Sequence, residues 1–486
     1  MKNWNEGIGQ GLRGILTALF FVGHEVIYAR AGGGGGGGHS GGGGSSSGGF
    51  SDDFSGGGSG GSLSWGHIFW IVGALLIYFL FKAYSKNKSG GVGGAILSTF
   101  AGMAAGVDVS EDSGNPNRVA NTASLPFPEG LTEEKVKISF MGIQDAWQAK
   151  NLKKVRRWIS DGVYQRFTGQ FIMMNKLVQI NKLTNIKIDK VRVANVGTDG
   201  NFQTADVAIH FKMDDEFLSE KYPQFNEKFK GESATEYWTF IKKKDTKTEK
   251  NLYGSDNCPN CGATFDTDLG EISRCGSCGT LTNNATFDWV LSEITQEDDY
   301  SPERAIQNMD ELLSLTANDP TFSTQKMEDI ASNVFMQVMQ VMGGEPEKKL
   351  KRFAMDEVRE EIMKARKAEG NIIFDRLYLN EVTLSGFSKD DIRLQTHFYL
   401  KATYQRVRAD EKISLLDKDL RPSFYTLTLS KNRKALQAPT KEVVYSYECP
   451  GCGAPYTDTT DDKCSYCGAE IIDYDHNWIL TAFKKV

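Results

Sequence analysis

Read for the spacing of apolar positions, the chain falls into two unlike parts. In the first, apolar residues come in unbroken blocks: Ile15–Gly23 is a nine-residue run, and Leu63–Phe81 is 19 residues without a formal charge. In the second, from about Asp108 to Val486, they recur at the periods of folded elements. Leu152, Val155, Ile159, Val163 and Phe167 step by three and four, which predicts an amphipathic helix. Leu350, Phe353, Met355 and Val358 follow a looser version of the same stripe. Strand alternation then takes over. In Asp206–Met213 the residues Val207, Ile209 and Phe211 share one face, and Asp206, Ala208, His210 and Lys212 the other. In Arg393–Leu400, Leu394, Thr396, Phe398 and Leu400 alternate likewise. Further strands are predicted at Lys187–Val196, Glu236–Lys242, Thr286–Glu293, Ile372–Leu384, Ser423–Leu429 and His476–Phe483. Ser301-Pro302-Glu303 has the form of an N-cap with proline at the first helical position. The helix it opens carries Ile306, Met309, Leu312 and Leu313 on one side.

The apolar blocks point to a membrane. Ile15–Gly23 follows Lys2 and Arg13 and precedes Ala29-Arg30-Ala31, the order of a secretory signal peptide cut after Ala31. It is too short to span a bilayer, and His24 and Glu25 interrupt its extension; an uncleaved anchor is the alternative. Leu63–Phe81, as a helix, would be about 29 Å long, close to the hydrocarbon thickness. Trp65, Trp70, Tyr78 and Tyr84 lie near its ends. Lys82, Lys86 and Lys88 follow it whereas Asp52 and Asp53 precede it, which puts the C-terminal side in the cytoplasm. Gly32–Gly61 holds 18 glycines in 30 residues and can bury no core. The expected order is a signal peptide at 1–31, a Gly/Ser-rich flexible tether at 32–62, a transmembrane helix at 63–84 and a linker at 85–124. The protein is then a single-pass component of the cell's inner membrane with its C-terminal domains in the cytoplasm.

The second part is one unit used twice. At a constant shift of 195 residues Phe140-Met141 falls on Phe335-Met336, and Lys154-Val155-Arg156-Arg157-Trp158 on Lys349-Leu350-Lys351-Arg352-Phe353. Asp161 falls on Asp356, Val163 on Val358 and Phe127 on Phe322. Later the shift drops to about 190, and Trp289 still corresponds to Trp478. Helices followed by a curved antiparallel sheet make the fold class α+β. The expected bounds are 125–297 for the first copy, 298–320 for a connecting helix and 321–486 for the second, diverged copy.

Composition adds two things. The net charge is −6, with 56 basic and 62 acidic residues, which excludes a nucleic-acid protein working through bulk charge. All eight cysteines lie in Cys-x-x-Cys pairs, which argues for metal in a reducing compartment rather than a disulfide scaffold. Cys258-x-x-Cys261 is followed after 13 residues by Cys275-x-x-Cys278, and Cys449-x-x-Cys452 after 11 by Cys464-x-x-Cys467. Four thiolates with no open position describe a structural tetrahedral site, so two zinc ions are expected, with iron or disulfides as the alternatives. The glycine after each second cysteine permits the tight turn. Each ribbon, 255–282 and 446–470, is inserted between the last two strands of its copy. Asp266, Asp268, Asp458, Asp461 and Asp462 make these loops acidic, unsuited to nucleic acid.

Gln144-Asp145-Ala146-Trp147, Leu152, Val155-Arg156, Ser160-Asp161-Gly162-Val163-Tyr164, Phe167 and Gln170 together resemble the Tim-forty-four-like family. That family is named for the C-terminal domain of the mitochondrial inner-membrane import-motor scaffold. The anchor, glycine-rich tract and signal look like its bacterial members. The resemblance covers about Phe127–Glu297 well, and the second copy much more weakly. It implies a helix-plus-sheet cone similar to nuclear transport factor two. It also implies binding of anionic lipid and of membrane-protein transport or assembly components. Because such cones often dimerise through their sheets, it further implies a homo-oligomer or an intramolecular pseudo-dimer. The doubled domain and the zinc ribbons depart from the family, and no motor-binding segment is recognisable.

Lys150, Lys153, Lys154, Arg156 and Arg157 form a basic cluster, echoed by Lys348, Lys349, Lys351 and Arg352. It reads as a solvated helix face, and as the candidate surface for lipid headgroups or a partner. His210 and His397 occupy matching strand positions, but only the first has a carboxylate, Asp206, four residues before it. No phosphate loop, nucleophile elbow or open metal site is present. The expectation is a non-enzymatic, membrane-anchored scaffold without catalytic or cofactor-binding residues beyond the metal ligands. A small-ligand-binding pair of cones is the alternative, and a cone-fold enzyme the remoter one.

Overall fold

The computed structural model describes residues 27–28, 35–36 and 124–486, except 247–249, 266–268, 270, 303–308, 318, 320–321, 437–448, 450–451, 453, 455–462 and 470–476. The transmembrane helix expected at 63–84 lies outside the described residues, as do the signal peptide expected at 1–31, apart from Ile27 and Tyr28, and Glu303 and Ile306 of the connecting helix. Among the described residues no helix is long and apolar enough to cross a membrane. The chain divides into two compact units, Met1–Gly38 with Pro116–Val486, and His39–Asn115. The second unit lies wholly outside the described residues.

The first copy opens with α1 (Glu133–Gln148), capped by Thr132, whose side chain accepts from the Lys135 N–H. Glu133 and Glu134 fill its first turn, where the helix dipole favours negative charge. Its buried stripe is Val136, Phe140, Ile143 and Trp147. The stripe expected to run unbroken from Leu152 to Phe167 is buried at all five positions, but the helix is not continuous. A 3-10 turn, Arg156–Trp158, ends at extended Ile159, and α2 (Asp161–Lys176) starts afresh behind the Ser160 cap. The break has a cause. Ile159 pairs in parallel with Leu291, and the Ser160 N–H donates to the Leu291 carbonyl at 2.9 Å. The second copy breaks at the equivalent place, where Ala354 pairs with Leu480.

Four strands follow as an antiparallel meander: β1 (Gln179–Asp199), β2 (Phe202–Ser219), β3 (Glu227–Lys243) and β4 (Val290–Gln296). They are longer than the alternation alone indicated, because pairing continues through bulges at 184/187, 188/190 and 193/195. Val207, Ile209 and Phe211 face the core as expected, with Val207 opposite Trp238. Ala208 is buried on the other face, beneath Tyr237 and Tyr300, whose rings stack at 3.8 Å.

After α3 (Met309–Thr316) the order repeats: α4 (Thr324–Met342), a 3-10 turn (Glu347–Leu350) and α5 (Asp356–Glu369). Then come β5 (Ile372–Lys389), β6 (Arg393–Ala409), β7 (Ile413–Leu415), β8 (Arg421–Asn432) and β9 (Ile479–Lys485). The sheet order is β9-β8-β6-β5, with β7 as an extra pairing on β6.

The copies meet head to tail, mainly through α2 and α4, with α2 also lying on β5 and β4 touching β5. α2, the second helix of the first copy, packs on α4, the first helix of the second. α4 is therefore buried almost all round, with 15 of its 19 residues inside, whereas α5 buries only Val358 and Ile362. Glycines allow the close approach: a Cβ at Gly169 would lie 2.7 Å from Met336 Cε, and one at Gly162 would lie 2.2 Å from Asp329 Oδ1. Each copy caps a helix of the other. Asp329 accepts from the Gly162 N–H at 3.0 Å and the Ser160 hydroxyl at 2.5 Å, and Asp199 accepts from the N–H groups of Thr324 at 2.9 Å and Gln325 at 2.8 Å. Buried Arg166 donates across the joint to Ser332 Oγ at 2.8 Å and to the Leu379 carbonyl at 3.4 Å. Tyr378 of the second copy completes the core of the first, and Met173, Leu177 and Phe225 of the first complete that of the second.

Candidate metal centres

The first ribbon joins β3 to β4, which pair directly with Trp238 opposite Ile294, so it takes the place of a hairpin loop. Its two knuckles are built alike. The Cys258 N–H donates to the Ala263 carbonyl at 2.7 Å and Gly262 N–H back to the Cys258 carbonyl at 2.9 Å. Cys275 pairs with Thr280 at 2.9 Å, and Gly279 returns to Cys275 at 2.8 Å. Gly262 and Gly279 sit at φ +75° and +73°, and Gly468 of the second ribbon at +72°, the left-handed region that a side chain would strain. In the second ribbon Cys449 pairs with Ala454 at 2.8 Å and Cys464 with Ala469 at 2.9 Å.

These turns bring the sulfurs together. Cys258, Cys261, Cys275 and Cys278 lie with their Sγ atoms all within 4.8 Å of one another, as do Cys449, Cys452, Cys464 and Cys467. The Sγ separations are 3.7 Å for Cys258–Cys278 and 3.8 Å for Cys261–Cys275. They are 3.4 Å for Cys449–Cys467 and 3.7 Å for Cys452–Cys464. Four ligands at ~2.3 Å around a tetrahedral ion would stand about 3.8 Å apart, whereas a disulfide needs ~2.0 Å. The donor set thus fits a four-coordinate metal ion and not disulfide pairing. In each pair the first cysteine is buried and the second exposed. Burial pushes the Cys258 thiol up to about 12, whereas the hydroxyl and N–H of Thr280 hold Cys278 down to about 6. A dication at the centre overrides such differences by drawing all four sulfurs to thiolate. No position is left open for substrate or water, so the arrangement is structural.

The basic cluster next to this ribbon is not the surface expected of it. Only Lys153 and Lys154 are exposed. Lys150 is half-buried and donates to Asn175 Oδ1 at 2.8 Å and the Gln179 carbonyl at 2.5 Å. Arg156 is fully buried and Arg157 is 8% exposed. Arg157 donates to the Leu252 carbonyl at 2.5 Å and to Asp256 at 2.9 Å. Arg156 donates to the Ile159 carbonyl at 3.0 Å, the Glu271 carbonyl at 2.6 Å and the Asp161 carboxylate, with its guanidinium 4.6 Å from the centre of the Tyr164 ring. Trp158 stacks on Tyr253 at 4.9 Å. The two arginines therefore clamp the ribbon to the body of the domain. The break at Ser160 turns them inward, where a continuous helix would have turned them to solvent. The shared position of Lys351-Arg352-Phe353 in the second copy was the available signal: residues kept in both copies suit a fold role.

His210 Nδ1 lies 3.2 Å from Thr235 Oγ1, and His397 Nδ1 lies 3.1 Å from Thr428 Oγ1, both on the face away from the core. Asp206 instead accepts from Tyr300 OH at 2.9 Å and Thr239 Oγ1 at 2.8 Å, so it forms no pair with His210. The cone interior of the first copy is filled: Phe140 stands 4.7 Å from Phe211 and 5.5 Å from Trp238, centroid to centroid.

No curated protein matches the chain. A solved structure described as "Ntf2 like protein involved in plasmid conjugation" is similar over 62% of this chain and 77% of its own, at 6% identity and a TM-score of 0.13. A TM-score that low carries no argument, and the α+β assignment rests on the strands and helices above. The match that bears on identity covers 125 of the 486 residues: over 128–252, the first copy is similar to the Tim44-like domain.

Proposed function

We propose that the protein is a non-enzymatic scaffold, held at the cytoplasmic face of the inner membrane, that gathers components of membrane-protein transport or assembly. The observation that carries this reading is the packed first cone. Phe140, Trp147, Phe211 and Trp238 are all buried where a ligand-binding cone would be open. What such a body offers a partner is its outer surface. The Tim44-like match over 128–252 supports the same reading, as does the apolar run Leu63–Phe81 with lysines after it. The two four-thiolate centres hold zinc in this reading, because zinc binds a given site more tightly than ferrous iron. The lipid-facing basic residues reduce to Lys153 and Lys154, with Lys150 beside them.

The test is crosslinking in intact cells, membrane extraction and mass spectrometry of what is attached. Recovery of translocase, insertase or chaperone subunits supports the scaffold, and recovery of the protein alone refutes it. Vesicles with and without anionic lipid test the surface: Lys153→Glu with Lys154→Glu should abolish any preference for the anionic ones. Metal analysis should find two zinc ions per chain; iron in their place overturns the zinc assignment.

A further inference from the structure

We propose that metal at the first centre latches the joint between the two copies, and that metal at the second does not. The inference rests on the metal reading of the thiolate groups and adds a consequence to it.

The two ribbons are equivalent in sequence but not in position. The first hangs from β4, whose Ile294 carbonyl and Glu293 carboxylate both accept from Arg166 at the joint, at 3.1 and 3.3 Å. The second hangs between β8 and β9, and β9 stands at the edge of its sheet opposite β5, the strand against which α2 packs. Among the described residues, it is the first ribbon that reaches across. Glu271, four residues before Cys275, accepts from Gln165 Nε2 on α2 at 2.9 Å. Gln165 Oε1 accepts from Gln340 Nε2 on α4 at 2.9 Å, and Gln340 Oε1 from Lys349 Nζ at 3.1 Å. These side chains line a cavity of about 60 Å³ that opens between ribbon and joint. A second line of bonds runs alongside. The Glu271 carbonyl holds Arg156, Arg156 holds Asp161, and Asp161 begins the helix whose Gly162 N–H is capped by Asp329 of the other copy.

Glu271 stands between the two knuckles, so an ion that joins them would fix its position. Without the ion it gains conformational freedom, and both lines of bonds lose their anchor. The joint then keeps its apolar contacts but not its polar fastening, so α2 and α4 open more often.

The experiment is hydrogen–deuterium exchange on the full-length protein in detergent, read over Asp161–Lys176 and Thr324–Met342, with metal content measured on the same samples. Cys275→Ser should lose one metal equivalent and exchange roughly tenfold faster in both helices. Cys464→Ser should also lose one equivalent and leave both helices at the wild-type rate. Glu271→Ala should keep both metals and still speed exchange in α4, which separates the latch from a general failure to fold. Metal loss in Cys275→Ser with unchanged exchange, or equal effects from the two cysteine variants, overturns the latch alone. Retention of both metals by both cysteine variants overturns the metal reading, and the latch with it.

Discussion

Arg156→Ala isolates what the basic cluster is for. The side chain is fully buried and has three acceptors: the carbonyls of Ile159 and Glu271, and the carboxylate of Asp161. Truncation takes the guanidinium from Asp161 and a donor from each of the two carbonyls, of which that of Ile159 keeps Asn283 Nδ2 at 3.2 Å. Removing one partner of a buried ion pair costs about 3–5 kcal/mol. Asp161 is 18% exposed and keeps Asn283 Nδ2 at 2.9 Å, which places the cost near the lower end. About 3 kcal/mol is therefore expected. The assay is urea denaturation of the full-length protein in detergent, following the transition of the first copy at constant slope. Lys153→Ala removes the same charge from an exposed site three residues away and should move stability by less than about 0.5 kcal/mol. Arg156→Lys should fall between the two, because an ammonium cannot reproduce the guanidinium fork. An Arg156→Ala midpoint no lower than that of Lys153→Ala would falsify the clamp and restore the cluster as a surface.

Other expectations follow from the joint and the strands. Gly162→Ala should cost at least about 2 kcal/mol, since its Cβ would meet both the carboxylate and the backbone of Asp329. Gly169→Ala meets only the end of Met336 and should cost under about 1 kcal/mol; reversal of that order in denaturation midpoints would contradict the packing. Burial raises the Asp329 carboxyl to about 7, against the Ser160 and Gly162 donors and with Asp161 and Arg166 nearby. The raised value stabilises the fold below the unfolded pKa, and that contribution fades as pH climbs from about 4 to 7. Asp329→Asn should accordingly flatten stability across this window, and an unchanged slope would exclude the assignment. Cys258→Ser and Cys449→Ser should each lose one metal equivalent and lower the melting temperature, as metal analysis beside calorimetry will show. His210→Ala and His397→Ala should leave partner recovery unaltered; loss of partners in either would give these residues a functional role.

Alternation and spacing made most of the architecture legible. Each expected strand has a counterpart, because a half-buried strand writes its period into the sequence whatever it pairs with. β4, however, starts at Val290 rather than Thr286 and is buried throughout, so its period gave no bounds. The cysteine quartets were legible for a different reason, since the coordination geometry fixes ligand spacing. The interruption at Ser160 was hidden. Leu152 to Phe167 keep a helical period through it, and only the distant carbonyl of Leu291 dictates extended backbone at Ile159. Burial of Arg156 and Arg157 was hidden for the same reason, because Glu271 and Asp256, the ribbon residues that hold them, lie some hundred residues away. The packing of α2 on α4 left only a faint trace: Gly162 and Gly169, seven residues apart on one helix face, mark a close approach without naming the neighbour.

Head-to-tail packing carries a hazard that two-fold pairing does not, because a surface that accepts the next copy can accept another without end and grow a fibre. In this chain the face of α5 that a further copy would have to cover is charged. The residues of α5 that stand where α2 has Gly162, Gln165, Arg166 and Gly169 are Glu357, Glu360, Glu361 and Lys364, all four exposed. Side chains of that length fill the gap that glycine leaves open, and stripping them of water would cost more than the contact returns. α5 thus has the polar outer face of the terminal caps that finite repeat proteins place on their last unit, a face that disfavours a third copy docking there.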